Sequence, residues 1–304
     1  MGKGTRSREA ARIRIEQMRA AEVARQKRRR LTIATSVVVV VVLVIGGLVA
    51  LKAAGVGSSK GSTNATYGST PLAANVAAQV TSVPAATLDT VGAGAVTGGP
   101  TKITAPALSD GSKPKVLYVG AEYCPYCAAE RWGMAVALSR FGTFTGLGMT
   151  HSSATDVDPS TPTLSFHGST FASTYLSFVP YEQTTNQPQG TGYKPLDTLT
   201  AADQQLFTTY DASPYVTSGG SIPFVDFGGK YVISGASYDP ALLAGKTQAQ
   251  IAAALSNASS PIAKAIDGNA NAITVALCAM TGEQPSAVCT SKGVQAAAAG
   301  LGSG

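Results

Sequence analysis

The sequence predicts an α/β fold on three observations. An apolar run, Lys115–Val119, leads into a helical pattern; two later apolar runs turn back on each other through Gly228-Gly229; and Ala-rich helical segments follow them. In the helix after the first run, Met134, Ala137, Leu138 and Phe141 recur at i, i+3, i+4 and i+7, giving one buried stripe. Gly142 stands where a C-cap glycine belongs. Between strand and helix lies Cys124-Pro125-Tyr126-Cys127.

The N-terminal fifty residues set the compartment. Leu31–Leu51 is an uncharged apolar run of 21 residues, long enough to cross a bilayer core as one helix and too long for an ordinary signal-peptide apolar region. Residues 1–30 carry eleven Lys and Arg against three Glu. By the positive-inside bias, this basic arm is cytoplasmic and the chain after Leu51 is extracytoplasmic, a single-pass arrangement in the cell membrane. A cleaved signal is the alternative, because Ala53, Ala54 and Gly55 follow the run. The remaining residues hold twelve basic against fourteen acidic side chains, so the chain's net +6 belongs to the arm and the exported part is no nucleic-acid binder on charge grounds. Residues 52–72, rich in Gly, Ser, Thr and Ala with no apolar period, read as a flexible linker.

The exported domain is expected over residues 73–290, enough for one sizeable core. Leu72–Val83 and Pro84–Val91 read as short helices, with a short strand near Lys102–Thr104. Leu147–Thr150 reads as the second central strand. Residues 151–198 hold two more strand-like runs among five prolines and read as an insertion; its Phe166, Phe171, Tyr175, Phe178 and Tyr181 suit either an extended peptide or a small satellite core. Leu199–Asp211 reads as a helix with Thr200 as N-cap. After the hairpin, Pro240–Leu243, Gln248–Leu255 and Pro261–Met280 read as helices covering the sheet, and residues 291–304 as a disordered tail.

The C-x-x-C pair carries the chemistry. At a helix N-terminus, unpaired backbone N–H groups and the helix dipole favour the Cys124 thiolate, and Cys127, one turn further in, is placed to resolve a mixed disulfide. Pro125 suits the first helical turn, where its missing N–H has no partner to lose. The competing readings are half of a zinc site and an inert disulfide. Zinc asks for four ligands, and the sequence offers neither a second C-x-x-C nor a close His pair: His151 and His167 are scattered. Cys278 and Cys289 read as a structural disulfide contributing about 2 to 3 kcal/mol, with a second redox pair as the alternative. Trp132 reads as core or near-site packing. Ile222-Pro223 heads the first hairpin strand, where proline cannot donate to the ladder; in isolation an ordinary trans proline at a strand edge is expected, and beside the upstream C-x-x-C the bond is expected to be cis.

Ala121-Glu122-Tyr123-Cys124-Pro125-Tyr126-Cys127 and the Ile222-Pro223 hairpin resemble the thioredoxin superfamily. Tyr118–Trp132, Phe178–Glu182, Ile222–Tyr231 and Ser260–Ala263 resemble more closely the prokaryotic family catalogued as domain of unknown function 929, over nearly all of residues 73–290. The resemblance implies a thioredoxin-like three-layer sandwich with Cys124 as nucleophile, Cys127 as resolving thiol and Ile222 and Pro223 as the edge that docks substrate peptide. It implies client proteins with thiols or disulfides, a separate redox partner and no organic cofactor. One departure stands out: thioredoxins carry a buried Asp where this chain has Tyr118. Glu122 and Glu130 are near in sequence and could move protons through water, although an exposed surface carboxylate is the expected role of each.

Overall fold

A computed structural model describes residues 68–217 and 219–301. The basic arm, the apolar run 31–51, linker residues 52–67 and the last three residues of the tail lie outside the described residues. Among the described residues no helix is long and apolar enough to cross a membrane.

The described chain opens with β1 (Thr70–Pro71), α1 (Ala74–Thr81), α2 (Ala85–Val91), β2 (Thr101–Lys102), β3 (Ser109–Asp110), β4 (Lys113–Gly120) and α3 (Pro125–Leu138). It continues through β5 (Thr143–Thr145), β6 (Gly148–His151), β7 (Pro162–Ser165), β8 (Thr170–Ala172), β9 (Ser177–Glu182), β10 (Thr184–Gln189) and β11 (Gly192–Pro195). Then come α4 (Ala201–Tyr210), β12 (Phe224–Phe227), β13 (Tyr231–Ser234), a 3-10 turn at Pro240–Leu243, α5 (Gln248–Ala254), α6 (Pro261–Thr281), α7 (Ser286–Cys289) and α8 (Lys292–Leu301). The helix starts follow their sequence signals. Thr200 caps α4 by accepting from Asp203 N, Thr247 and Gln250 form a capping box on α5, and Ser260 with Pro261 starts α6.

The molecule is mixed α/β. In the main sheet β4 is central: β9 runs parallel to it with Val116 beside Phe178 and Gly120 beside Glu182, and β12 runs antiparallel with Phe224 beside Val119. Strand β13 follows β12 through the three-residue connection 228–230, in which Gly228 and Gly229 take left-handed φ of 67° and 72° that glycine adopts without strain. Alternation along the strands divides the core. Val116, Tyr118, Val225, Phe227 and Ile233 face α3 and α6, while Leu117, Val119, Phe224 and Val232 face Leu206 and Phe207 of α4. Helices therefore cover both faces of the sheet, and α3 is held between the sheet, α6 and the small sheet β1-β6-β7.

Several expectations are corrected. The strand beside β4 is β9, whereas Leu147–Thr150 contributes β6 to the separate small sheet. Proline in β9 is tolerated because β9 pairs on one side only, with β4, so the N–H that Pro180 lacks is not needed by a second neighbour. The expected satellite core is instead an extension of the main core: Phe166 is buried in it and forms a cluster with Phe144, Phe171 and Phe178 whose rings pack at 4.8 to 6.1 Å, while Tyr175 is exposed and Tyr181 packs on the opposite face of the sheet. Helix α3 ends at Leu138, and Gly142 serves close packing, since a Cβ there would meet Ala172 O at 2.3 Å. At the start, Thr70–Pro71 pairs with β6 and Leu72 is buried, so order begins before residue 73. At the end, residues expected as a disordered tail form α8, because Gly293, Val294 and Ala297 make a small-residue face that packs on α2 and α6. A Cβ on Gly293 would lie 2.5 Å from Leu88 O, which is why glycine stands there.

Candidate active site

The C-terminal end of β4 and the start of α3 bring the two thiols together. Cys124 is the N-cap of α3; its extended backbone (φ −75°, ψ 123°) turns its Sγ back to accept from Cys127 N at 3.2 Å. Pro125 occupies the first helical turn. The Ile222-Pro223 bond is cis, and Cys124 Sγ donates to Ile222 O at 3.5 Å. The structure thus joins Cys124, Cys127, Ile222 and Pro223, which the sequence separates by about a hundred residues.

Burial differs from the expected exposed helix start. Cys124 is only 4% exposed and Cys127 is fully buried, both as free thiols. A cleft of about 510 Å³ lies alongside, lined by Tyr126, Ile222, Tyr238 and Pro240 with Asp158 and Asp239. Tyr126, between the cysteines, is 44% exposed. Tyr123 stacks on Tyr193 of β11 at 4.2 Å, so the β10–β11 hairpin stands beside the residue preceding Cys124.

The two sulfurs differ in electrostatics. The hydrogen bond from the Cys127 thiol holds the Cys124 thiol below its usual range; burial opposes this, and the backbone N–H groups of Cys127 and Tyr126 and the Arg131 charge support it. Burial pushes the Cys127 thiol well up, helped by its bond to Cys124 and the Cys124 charge, with Arg131 opposing. The surroundings therefore favour the thiolate at Cys124 and the thiol at Cys127.

Charged residues behind the thiols escaped the sequence reading. Arg131, one turn beyond Cys127, donates Nε and Nη2 to Glu182 at 2.8 and 2.7 Å, and both side chains are fully buried. The expectation of exposed surface carboxylates at Glu122 and Glu130 is overturned. Glu130 accepts from Ser237 N, Ser237 Oγ and Asn269 Nδ2, while Glu122 Oε1 accepts from Ser165 Oγ at 2.7 Å. Both are fully buried, because α6 and β7 pack over them. The available signal for Arg131 was its i+4 spacing from Cys127 on a helix otherwise rich in apolar and small residues.

The remaining predicted residues settle elsewhere. Trp132 is buried core, donating Nε1 to Pro162 O at 3.1 Å. His151 Nδ1 lies 2.9 Å from Ser152 O, and His167 Nδ1 lies 2.8 Å from Asp197 Oδ1. Cys278 and Cys289 are joined by a disulfide with Cα atoms 5.7 Å apart, tying α6 to α7.

A family model described as domain of unknown function (DUF929) matches residues 100–279, which span the thiol pair, the Arg131–Glu182 pair and the Ile222-Pro223 hairpin. The chain belongs to this family. No curated protein and no solved structure matches it.

Proposed function

We propose that this DUF929 member is a membrane-anchored, extracytoplasmic thiol–disulfide oxidoreductase of thioredoxin-like fold, acting on cysteines of envelope or secreted proteins. The observation that carries this reading is the split between two thiols one helical turn apart: Cys124 at the helix start, biased toward thiolate, and Cys127 beneath it, biased toward thiol. The thioredoxin-like assignment rests on the strand order β9-β4-β12-β13, parallel between the first two and antiparallel thereafter, with α3 and α6 on one face and α4 on the other. Anchoring and compartment rest on the apolar run 31–51 and the basic arm before it.

In the reducing direction, the Cys124 thiolate attacks a client disulfide; an S–S bond forms to Cys124, the client bond breaks and one client sulfur leaves as thiolate. Cys127 then gives up its proton to that thiolate and attacks Cys124 Sγ, expelling the second client sulfur. The client disulfide has gained two electrons and the dithiol has become a disulfide. Oxidation of a client is the same sequence reversed. The Ile222 carbonyl, against Cys124 Sγ and lining the cleft, is the backbone edge along which an extended client segment would dock. Cys278–Cys289 takes the structural part.

One observation favours a second reading, a binding module with an inert dithiol: Cys124 is 4% exposed. The Cys127→Ser variant discriminates. A catalyst accumulates mixed disulfides with envelope proteins through Cys124, and these vanish in Cys124→Ser/Cys127→Ser; an inert module accumulates none.

A further inference from the structure

The exchange sequence above leaves unused the buried charge beneath the thiols. Arg131 shares a face of α3 with Cys127, and its Nη2 also donates to Ala121 O at 2.6 Å, in the loop that leads to Cys124. Its Nη1 has no hydrogen-bond partner among the described residues, although it is fully buried. Glu182 reaches it from β9, where it lies beside Gly120. A buried ion pair of this kind adds little net stability, because desolvating both ions offsets their attraction, and an apolar pair of equal volume does as well. Retaining a guanidinium with a spare N–H beside two ionisable sulfurs therefore points to the sulfurs.

Titratable groups face the pair from several elements. Tyr118 comes from β4 and Glu122 from the following loop, Cys124 and Cys127 start α3, and Asp197 accepts from Glu182 N at 2.9 Å while holding His167. Tyr118 Oη and Glu122 Oε2 are buried and have no hydrogen-bond partner among the described residues. Arg131 is the one cation in this group that is charged at every working pH. Position 118, meanwhile, offers a phenol and no carboxylate.

Resting on the proposed exchange reaction, we propose that Arg131, held in place by Glu182, is a positioning residue that serves the two sulfurs in turn: it supports anionic Cys124 before a client arrives, and anionic Cys127 once Cys124 is tied up in the mixed disulfide. The order follows from what changes at that step. In the resting dithiol, burial first, and then the hydrogen bond to Cys124 and the Cys124 charge, keep Cys127 protonated against Arg131. Bond formation to the client removes the hydrogen bond and the charge of Cys124 while burial and the guanidinium stay, so Cys127 gives up its proton more readily once a mixed disulfide is there to resolve. Glu182 limits the effect by opposing charge on Cys127.

The test is the pH profile of Cys124 alkylation by iodoacetamide in the full-length reduced protein, together with the lifetime of its mixed disulfide with a model peptide. Arg131→Gln should move the profile to higher pH, slow alkylation at pH 6 roughly tenfold, and let the mixed disulfide persist although Cys127 is intact. Arg131→Lys should restore most of both, and Glu182→Gln should move the profile the opposite way. If Arg131→Gln does not fold, Arg131→Gln/Glu182→Gln removes both charges, leaving no unpaired buried ion, and should still move the profile to higher pH. A wild-type profile in the folded double variant, or shifts of one sign for both Gln variants, overturns the role of Arg131 while leaving exchange standing. A wild-type protein that never exchanges with the peptide overturns the exchange reading itself.

Discussion

The molecule holds two cysteine pairs, and they are built on opposite plans. Cys124 and Cys127 lie three residues apart at a helix start, unbonded, above a buried cation and against the carbonyl of Ile222. Cys278 and Cys289 lie eleven residues apart, already joined, with α6 and α7 on either side. The first pair has partners that distinguish its two sulfurs, so breaking and remaking its bond changes charge at defined places. The second has two sulfurs in equivalent roles and serves to restrict the chain. What separates the free dithiol from the disulfide here is the asymmetry of surroundings.

The comparison is broken most severely by Cys124→Ser, which should abolish disulfide exchange with a model peptide in a turnover assay while leaving the Cys278–Cys289 bond and the melting transition in place. Removing the staple with Cys278→Ala/Cys289→Ala should do the reverse. Stability should fall by about 2 to 3 kcal/mol in urea titration, because the unfolded chain regains the freedom of the closed loop, while exchange at Cys124 continues. If that variant also loses exchange, the two pairs are not independent.

A smaller effect tests the contact that carries the helix bearing Cys124 and Cys127. Gly133 lets α3 approach α6 closely; a Cβ there would lie 2.5 Å from Asn269 Nδ2, the group that also donates to Glu130. Gly133→Ala should destabilise by about 1 to 3 kcal/mol through overpacking, read by urea titration.

A pH-dependent effect concerns Asp267 on α6, fully buried, whose carboxyl oxygens have no hydrogen-bond partner among the described residues, so that burial pushes its pKa up to about 8. In the unfolded chain it ionises near about 4. Between these values the unfolded state binds fewer protons than the folded one, so this group's contribution to stability falls as pH rises from about 4 to about 8. Asp267→Asn should remove that dependence: its melting temperature relative to wild type should rise between pH 5 and pH 8. A constant difference would show that Asp267 ionises freely in the folded protein.

Much of this was legible in the chain, for reasons that also mark where legibility stopped. The strand before Cys124, the Gly228-Gly229 hairpin and the capped helices announce themselves through local periodicity and local capping groups. Strand β9 was legible only in part, as the strand-like run Tyr175–Val179 assigned to an insertion; its extension through Pro180 to Glu182 and its place in the main sheet come from its parallel pairing with β4. Helix α8 hid for a related reason, since a face of Gly293, Val294 and Ala297 has little hydropathy and gains its meaning from Leu88 and Asn271 opposite. Within the site, Cys124, Cys127, Ile222 and Pro223 were found as motifs. Arg131 and Glu182 were not, because a charged side chain reads as solvated until the element that covers it is known, and these two lie 51 residues apart on different elements.

The measurement that bears most directly on the central claim is differential alkylation with mass spectrometry, applied to the folded full-length protein across a series of glutathione redox buffers. The account predicts that Cys124 and Cys127 pass reversibly between dithiol and disulfide within the buffered range while Cys278–Cys289 stays bonded throughout. A Cys124 that remains unmodified and unbonded in every buffer until the protein unfolds would contradict it.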